Sequence, residues 1–142
     1  MPAVFFSRIV PTDTAVEELW NSVADTPQYL EHPLRHRQHH KKWAVSIFIH
    51  GDGVPCVGVG KAWSKMDIFS WGSVLVTDGD TLLSHFLICC FYNILASGMT
   101  YPEVWAVIVW SLQALYTGKW PERDHKGNML HDKRAGQWLA HG

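Results

Sequence analysis

Four glycines, Gly51, Gly53, Gly58 and Gly60, fall within GDGVPCVGVGKAWSK and forbid a helix there, because each would lose too much backbone freedom in holding one. The preceding run, WAVSIFIH (43–50), and the following one, MDIFSWGSVLV (66–76), are rich in β-branched and aromatic residues. The spacing therefore predicts a strand on either side of a glycine-rich connection. TDGD ends the second run, with Asp78 and Gly79 suited to the positive backbone angles of a tight hairpin and Asp80 as a further turn former. A third apolar run, LLSHFLICCFYN (82–93), fits a buried strand or a buried helix, which periodicity does not separate. The strand is the preferred reading, and three consecutive strands joined by turns make an antiparallel meander.

Helices flank these runs. Residues 12–26 predict a short one, since Thr14 and Glu17 have capping-box spacing and Val16, Leu19, Trp20 and Val23 recur at helical intervals. Pro27 is expected to end it, and Gln28 to Lys42 reads as an exposed polar connector. The firmest helix is Tyr101 to Thr117, with Thr100 and Glu103 as a capping box and Pro102 in the first turn. Val104, Val107, Ile108, Ser111, Leu112 and Leu115 form its face, and Gly118 its stop. From Pro121 onward the tail reads as polar, with no closing element.

With 142 residues and 47% hydrophobic content, the chain has the means to form one compact unit with a core. A net charge of −1 supplies no global attraction to nucleic acid or anionic membrane, so any such contact must be local. The local candidate is RHRQHHKK (35–42), whose Arg35, Arg37, Lys41 and Lys42 could touch phosphates, although no aromatic is interleaved among them. His32, His36, His39 and His40 invite a zinc reading. Pro33 and the absence of a nearby Cys favour a solvated connector instead. Three cysteines, two of them adjacent, make a poor disulfide framework, so a reducing, intracellular compartment is expected; Cys89 and Cys90 read as core. The first residues lack the apolar run and cleavage site of a secretory signal. A membrane hairpin built from 82–99 and 104–116 ranks last, because its second arm is shorter than the roughly 20 residues that span hydrocarbon. Eight tryptophans point to core anchors or contact surfaces. Of the pair Trp105 and Trp110, spaced five apart, one is expected to pack and the other to sit at an edge.

Asp52 carries the sharpest chemical question. Set between Gly51 and Gly53 at the expected end of the first strand, it is either a turn residue or a divalent-metal ligand that a phosphate backbone could approach closely. His50 is its nearest companion. Asp67, Asp78, Asp80, Asp124 and Asp132 are the other carboxylates considered, and none is assignable as its partner from local pattern.

HGDGVPCVGVGKAWSKMDIFSWGSVL, then WSLQALYTGKWPERDHKGN and RAGQWLAHG, resemble multi-copy, transposable-element-like reading frames of unicellular algae. Through these, residues 28–142 look like the ribonuclease H-like transposase and integrase superfamily. The resemblance implies an α+β fold in which a three-stranded antiparallel meander is followed by a covering helix, with a short helix before it. It matches Asp52 to the first catalytic, metal-binding carboxylate and implies Mg2+ or Mn2+ as cofactor, DNA as partner and the nucleus as location. The second catalytic carboxylate of that pattern belongs at the end of a fourth strand, which the chain does not reach. The expectation is thus an incomplete ribonuclease H-like domain over 43–142, inactive alone, preceded by a helix and basic connector over 1–42. Self-association through an open sheet edge or a Trp-rich surface would accompany it. The alternative is a non-catalytic, Trp-rich module that binds protein or nucleic acid.

Overall fold

The computed structural model describes residues 7–57, 64–76 and 84–139. It divides into two compact units, Met1–Asn93 and Ile94–Gly142, where composition predicts one. The TDGD turn, with Asp78 and Asp80, lies outside the described residues, as do Gly58 and Gly60.

The first unit opens with α1, Ala15–Ser22, which buries Val16 and carries Glu17 and Glu18 in its first turn, where the helix dipole favours them. The capping box does not form. Thr14 itself takes helical angles, φ −95° and ψ −16°, and its side chain caps nothing. Pro27 starts a helix rather than only ending one. It occupies the first turn of α2, Pro27–Glu31, where its missing N–H costs nothing, while the Thr26 hydroxyl accepts from the Tyr29 N–H at 3.4 Å. A 3₁₀ turn, Pro33–His36, and a single helical turn, α3 (His40–Trp43), complete a segment that is largely exposed, as its polarity predicts. The Trp20 indole N–H donates to the Ala44 carbonyl at 2.7 Å, pinning the end of α3 beside α1.

Three strands follow in the order β1-β2-β3: β1 Ile47–Val57, β2 Ser64–Ser73 and β3 Phe86–Tyr92. Both pairings are antiparallel. The third apolar run is thus a strand over 86–92, which removes the first arm of the membrane hairpin. Among the described residues no helix is long and apolar enough to cross a membrane. The first strand differs from expectation at both ends. It starts at Ile47, leaving Trp43 in α3, and runs straight through Gly51-Asp52-Gly53, with Ile49 paired to Trp71 and Gly53 to Asp67. Its register shifts only between Pro55 and Val57.

Strand alternation sorts the first pair into two faces. Phe48, His50 and Asp52 share one with Ile68, Ser70 and Gly72; Ile49, Gly51 and Gly53 share the other with Asp67, Phe69 and Trp71. Aromatic rings fill the second face, Phe69 stacked on Phe91 at 6.2 Å and Trp71 tilted on Phe86 at 4.8 Å between centroids. Phe69 is buried there.

The second unit is built on α4, Thr100–Thr117. Gly118 ends it with φ 71°, in the left-handed region that favours glycine, and donates its N–H to the Ala114 carbonyl at 2.9 Å. The expected capping box is again absent, because the N-cap is Met99 and the Thr100 hydroxyl instead accepts from the Ser97 N–H. Of the predicted face only Ile108 is fully buried, and Leu115 stays 64% exposed. The tail is more ordered than its polarity suggests. Trp120 donates its N–H to Gln137 and Leu139 donates to Gly118, both at 2.8 Å, so the chain folds back on itself beside the helix terminus.

Candidate nucleic-acid interface

The carboxylates come first, because a metal centre needs several of them together. Asp52 lies in mid-strand, exposed, paired with Ile68, and its Oδ1 accepts from the adjacent Gly53 N–H at 2.7 Å. Its expected place at a strand end is thereby corrected. Asp67 stands opposite Gly53 and so belongs to the other face of the sheet, where its Oδ2 accepts from the Asn93 side-chain amide at 2.9 Å. Of the flanking glycines, Gly51 has a packing explanation: the Phe69 ring lies over it, and an added Cβ would come within 3.1 Å of that ring. His50 shares the face of Asp52, but its ring neighbours His85 at 6.1 Å.

In the second unit, the Asp124 carboxylate accepts from the Lys126 and Asn128 backbone N–H groups and the Asn128 side-chain amide, at 2.8–2.9 Å. These bonds, led by the Asn128 side chain, lower its pKa. Asp132 takes the Arg134 guanidinium in a fork at 2.7 and 3.0 Å, and this bond, with the Arg134 backbone N–H, brings its carboxyl to about 2. Both carboxylates hold local turns. Among the described residues no three His, Cys, Asp or Glu side chains converge as a metal site would require.

The cysteines are free thiols. Cys90 is exposed, contrary to its expected place in a core; Cys89 is half-buried, and burial followed by the neighbouring Cys90 raises its pKa. Trp105 and Trp110 divide as expected. Trp105 is 44% exposed, whereas the Trp110 indole donates to the Arg123 carbonyl at 2.8 Å. Both line an open groove of about 600 Å³ with Pro102, Val109, Arg123 and His125.

The basic run offers the more coherent surface. The Arg35 guanidinium donates to the Leu30 carbonyl, and Lys41 Nζ donates to the Asn21 side-chain oxygen at 2.8 Å. Both acceptors are neutral, so neither charge is cancelled by these bonds. Arg has five donors and Lys three, which leaves each able to meet an anion as well. Arg37 and Lys42 are exposed. From residue 32 to residue 51 the sequence contains four Lys or Arg and no carboxylate.

Sequence reasoning missed Trp43. Assigned to a strand, it would be half-buried; at the end of α3 it is 61% exposed, with Lys42 Nζ 5.1 Å from its ring centroid. The aromatic that the run lacks on paper stands immediately after it. Below lies an ordered support. His40 bonds the Tyr29 hydroxyl through Nε2 at 2.7 Å and the Arg37 carbonyl through Nδ1 at 3.0 Å, and Trp20 packs beside both rings at 5.9 and 6.1 Å. The signal available in the sequence was His40, three residues from both Arg37 and Trp43 and spaced to anchor one helical turn.

Compared with protein-family models, with curated proteins and with solved structures, the chain matches none.

Proposed function

We propose that this chain is a non-catalytic module that binds nucleic acid through Arg35, Arg37, Lys41 and Lys42. The observation that carries the reading is the carboxylate-free run from 32 to 51, largely exposed through residue 43, in which Arg35 and Lys41 are held by neutral acceptors. Phosphate contacts of this kind release counterions, so affinity falls with salt. Titrating a labelled oligonucleotide at several salt concentrations is expected to give a slope of log K against log salt of about −3 for four contacts on a single strand. Replacing the four cations by Gln keeps their hydrogen-bonding reach and is expected to flatten that slope. An unchanged slope in the variant would remove the reading.

A ribonuclease H-like, transposase-type origin is the second reading, supported by the order of three antiparallel strands followed by a helix. In it Asp52 would bind Mg2+ or Mn2+, and a nuclear location would follow. Two-metal chemistry needs further carboxylates beside it, and the register counts against Asp67. Magnesium-dependent strand cleavage that disappears in Asp52→Ala would establish this reading; a magnesium titration that leaves the Asp52 resonances unmoved would retire it.

A further inference from the structure

We infer that the basic run selects single-stranded over double-stranded nucleic acid, with Trp43 as the platform on which an unpaired base stacks. The inference rests on the nucleic-acid reading and adds the class of ligand. Three observations carry it.

The first is the exposure of Trp43. An indole is costly to leave in water, and Trp20 nearby is packed and hydrogen-bonded, yet Trp43 presents 61% of its surface. The second is the company it keeps. Lys42 Nζ sits 5.1 Å from the ring centroid, so a π-face and a cation occur together. A single-stranded nucleotide offers the complement of that pair, a free base face and a phosphate on the same unit. The third is how firmly the ring is presented. His39 has φ 59° and ψ 15°, the one positive-φ residue other than glycine among the described residues, and it turns the chain into α3. Its carbonyl accepts from the Lys42 and Trp43 N–H groups at 2.9 and 3.1 Å, and the adjacent His40 is tied to Tyr29 and Arg37. The left-handed turn at His39, a conformation histidine adopts more readily than most residues, thus fixes where α3 begins and with it the place of Trp43 at its end.

A duplex cannot use this arrangement. Its bases are already stacked on one another, and α3, at four residues, is too short to lay base-reading side chains along a major groove. Duplex binding would draw on the phosphate contacts alone, whereas a single strand gains the stacking as well.

The test is a pair of anisotropy titrations of the full chain at fixed low salt, against a fluorescein-labelled 12-nucleotide oligothymidine and a 12-base-pair duplex. The single strand is expected to bind roughly 5- to 150-fold more tightly, the range a stacked base contributes. Trp43→Ala is expected to bring the single strand down to duplex-like affinity without changing the duplex, and Trp43→Phe to retain most of the preference. Far-UV circular dichroism of both variants controls for the fold. Equal or tighter duplex binding, or a Trp43→Ala loss of the same size on both probes, overturns the inference while leaving the phosphate-binding reading in place. Absence of binding to either probe overturns both.

Discussion

Gly51, Gly53 and Gly72 look alike in the sequence and differ sharply in what surrounds them. A Cβ on Gly53 would meet only Asp67 Oδ1 at 3.4 Å and the Lys65 side chain at 3.7 Å, both ordinary contacts. Gly53→Ala is therefore expected to stabilise the fold by about 0.5–1 kcal/mol, the backbone entropy a mid-strand glycine costs. On Gly51 the Cβ would lie 3.1 Å from Phe69, a buried ring stacked on Phe91 with little room to yield, so Gly51→Ala is expected to be neutral to mildly destabilising. On Gly72 it would stand 2.6 Å from the Phe48 ring and 2.8 Å from the Ser84 carbonyl oxygen. The second obstacle is backbone, so Gly72→Ala is expected to cost about 1–3 kcal/mol. Urea denaturation of the three variants should reproduce that order, and a destabilised Gly53→Ala would contradict it. Asp132 supplies a pH prediction. The Arg134 fork depresses its carboxyl from 3.8 to about 2, so the stabilisation it gives is present above the unfolded pKa and is lost as pH falls from about 4 through about 2. Carbon-detected titration of the Asp132 carboxyl should show the low midpoint, and Arg134→Ala, which removes the fork but keeps the backbone N–H that Asp132 also accepts, should raise it toward the ordinary carboxylate range without restoring it fully.

Elements were legible in kind and order, less so at their ends. The two β-rich runs, the third run and the long helix each give the expected kind of element in the expected order, and Gly118 stops the helix, because those signals are local. The start of β1 was not legible, since Trp43 is as β-prone as its neighbours and only the turn at His39 and the anchoring of His40 draw it into α3. Nor was the passage of β1 through Gly51-Asp52-Gly53. That depends on Phe69, eighteen residues away in sequence, filling the space over Gly51. The capping boxes fail for different reasons: Thr14 stands at the N-cap but in helical angles, where its hydroxyl caps nothing, whereas Thr100 is drawn into the helix behind Met99 and its hydroxyl serves Ser97 instead. Strand β3 raises a different matter. Among the described residues it pairs with β2 alone, and its sequence, FLICCFY, has no charge and no proline to discourage another strand from pairing with it. Cys90 is exposed, so Cys90→Lys places a charge on that edge without filling buried space. The variant is expected to aggregate more slowly than the parent in light-scattering measurements at matched concentration, with an unchanged circular dichroism spectrum. Equal aggregation rates would show that β3 is not the associating edge.

At the scale of the whole molecule, a net charge of −1 makes the location of the cations decisive. A chain drawn to nucleic acid by its overall field would respond equally to any cation removed, whereas one that binds by contact responds only where phosphates are touched, because exposed charges are screened within about 10 Å at 0.1 M salt. The second unit provides a control of equal charge and similar chemistry. Lys119 Nζ lies 5.0 Å from the centroid of the exposed Trp138 ring, much as Lys42 Nζ lies 5.1 Å from that of Trp43, but Glu122 and Asp124 follow Lys119 closely in sequence. Lys119 and Lys133 are exposed, and Lys126 lies 3.6 Å from Glu103 in a solvent-facing pair that contributes little to stability. Lys119→Gln, Lys126→Gln and Lys133→Gln together remove the same charge as Arg35→Gln, Arg37→Gln and Lys41→Gln. The first triple variant is expected to keep the parent's affinity for a single-stranded oligonucleotide within about twofold. The second is expected to lower the magnitude of the salt slope by about 2, since each phosphate no longer neutralised accounts for about 0.7. If both triples weakened binding alike, the field of the whole chain or a surface in the second unit would be responsible, and the interface at residues 35–43 would have to be given up.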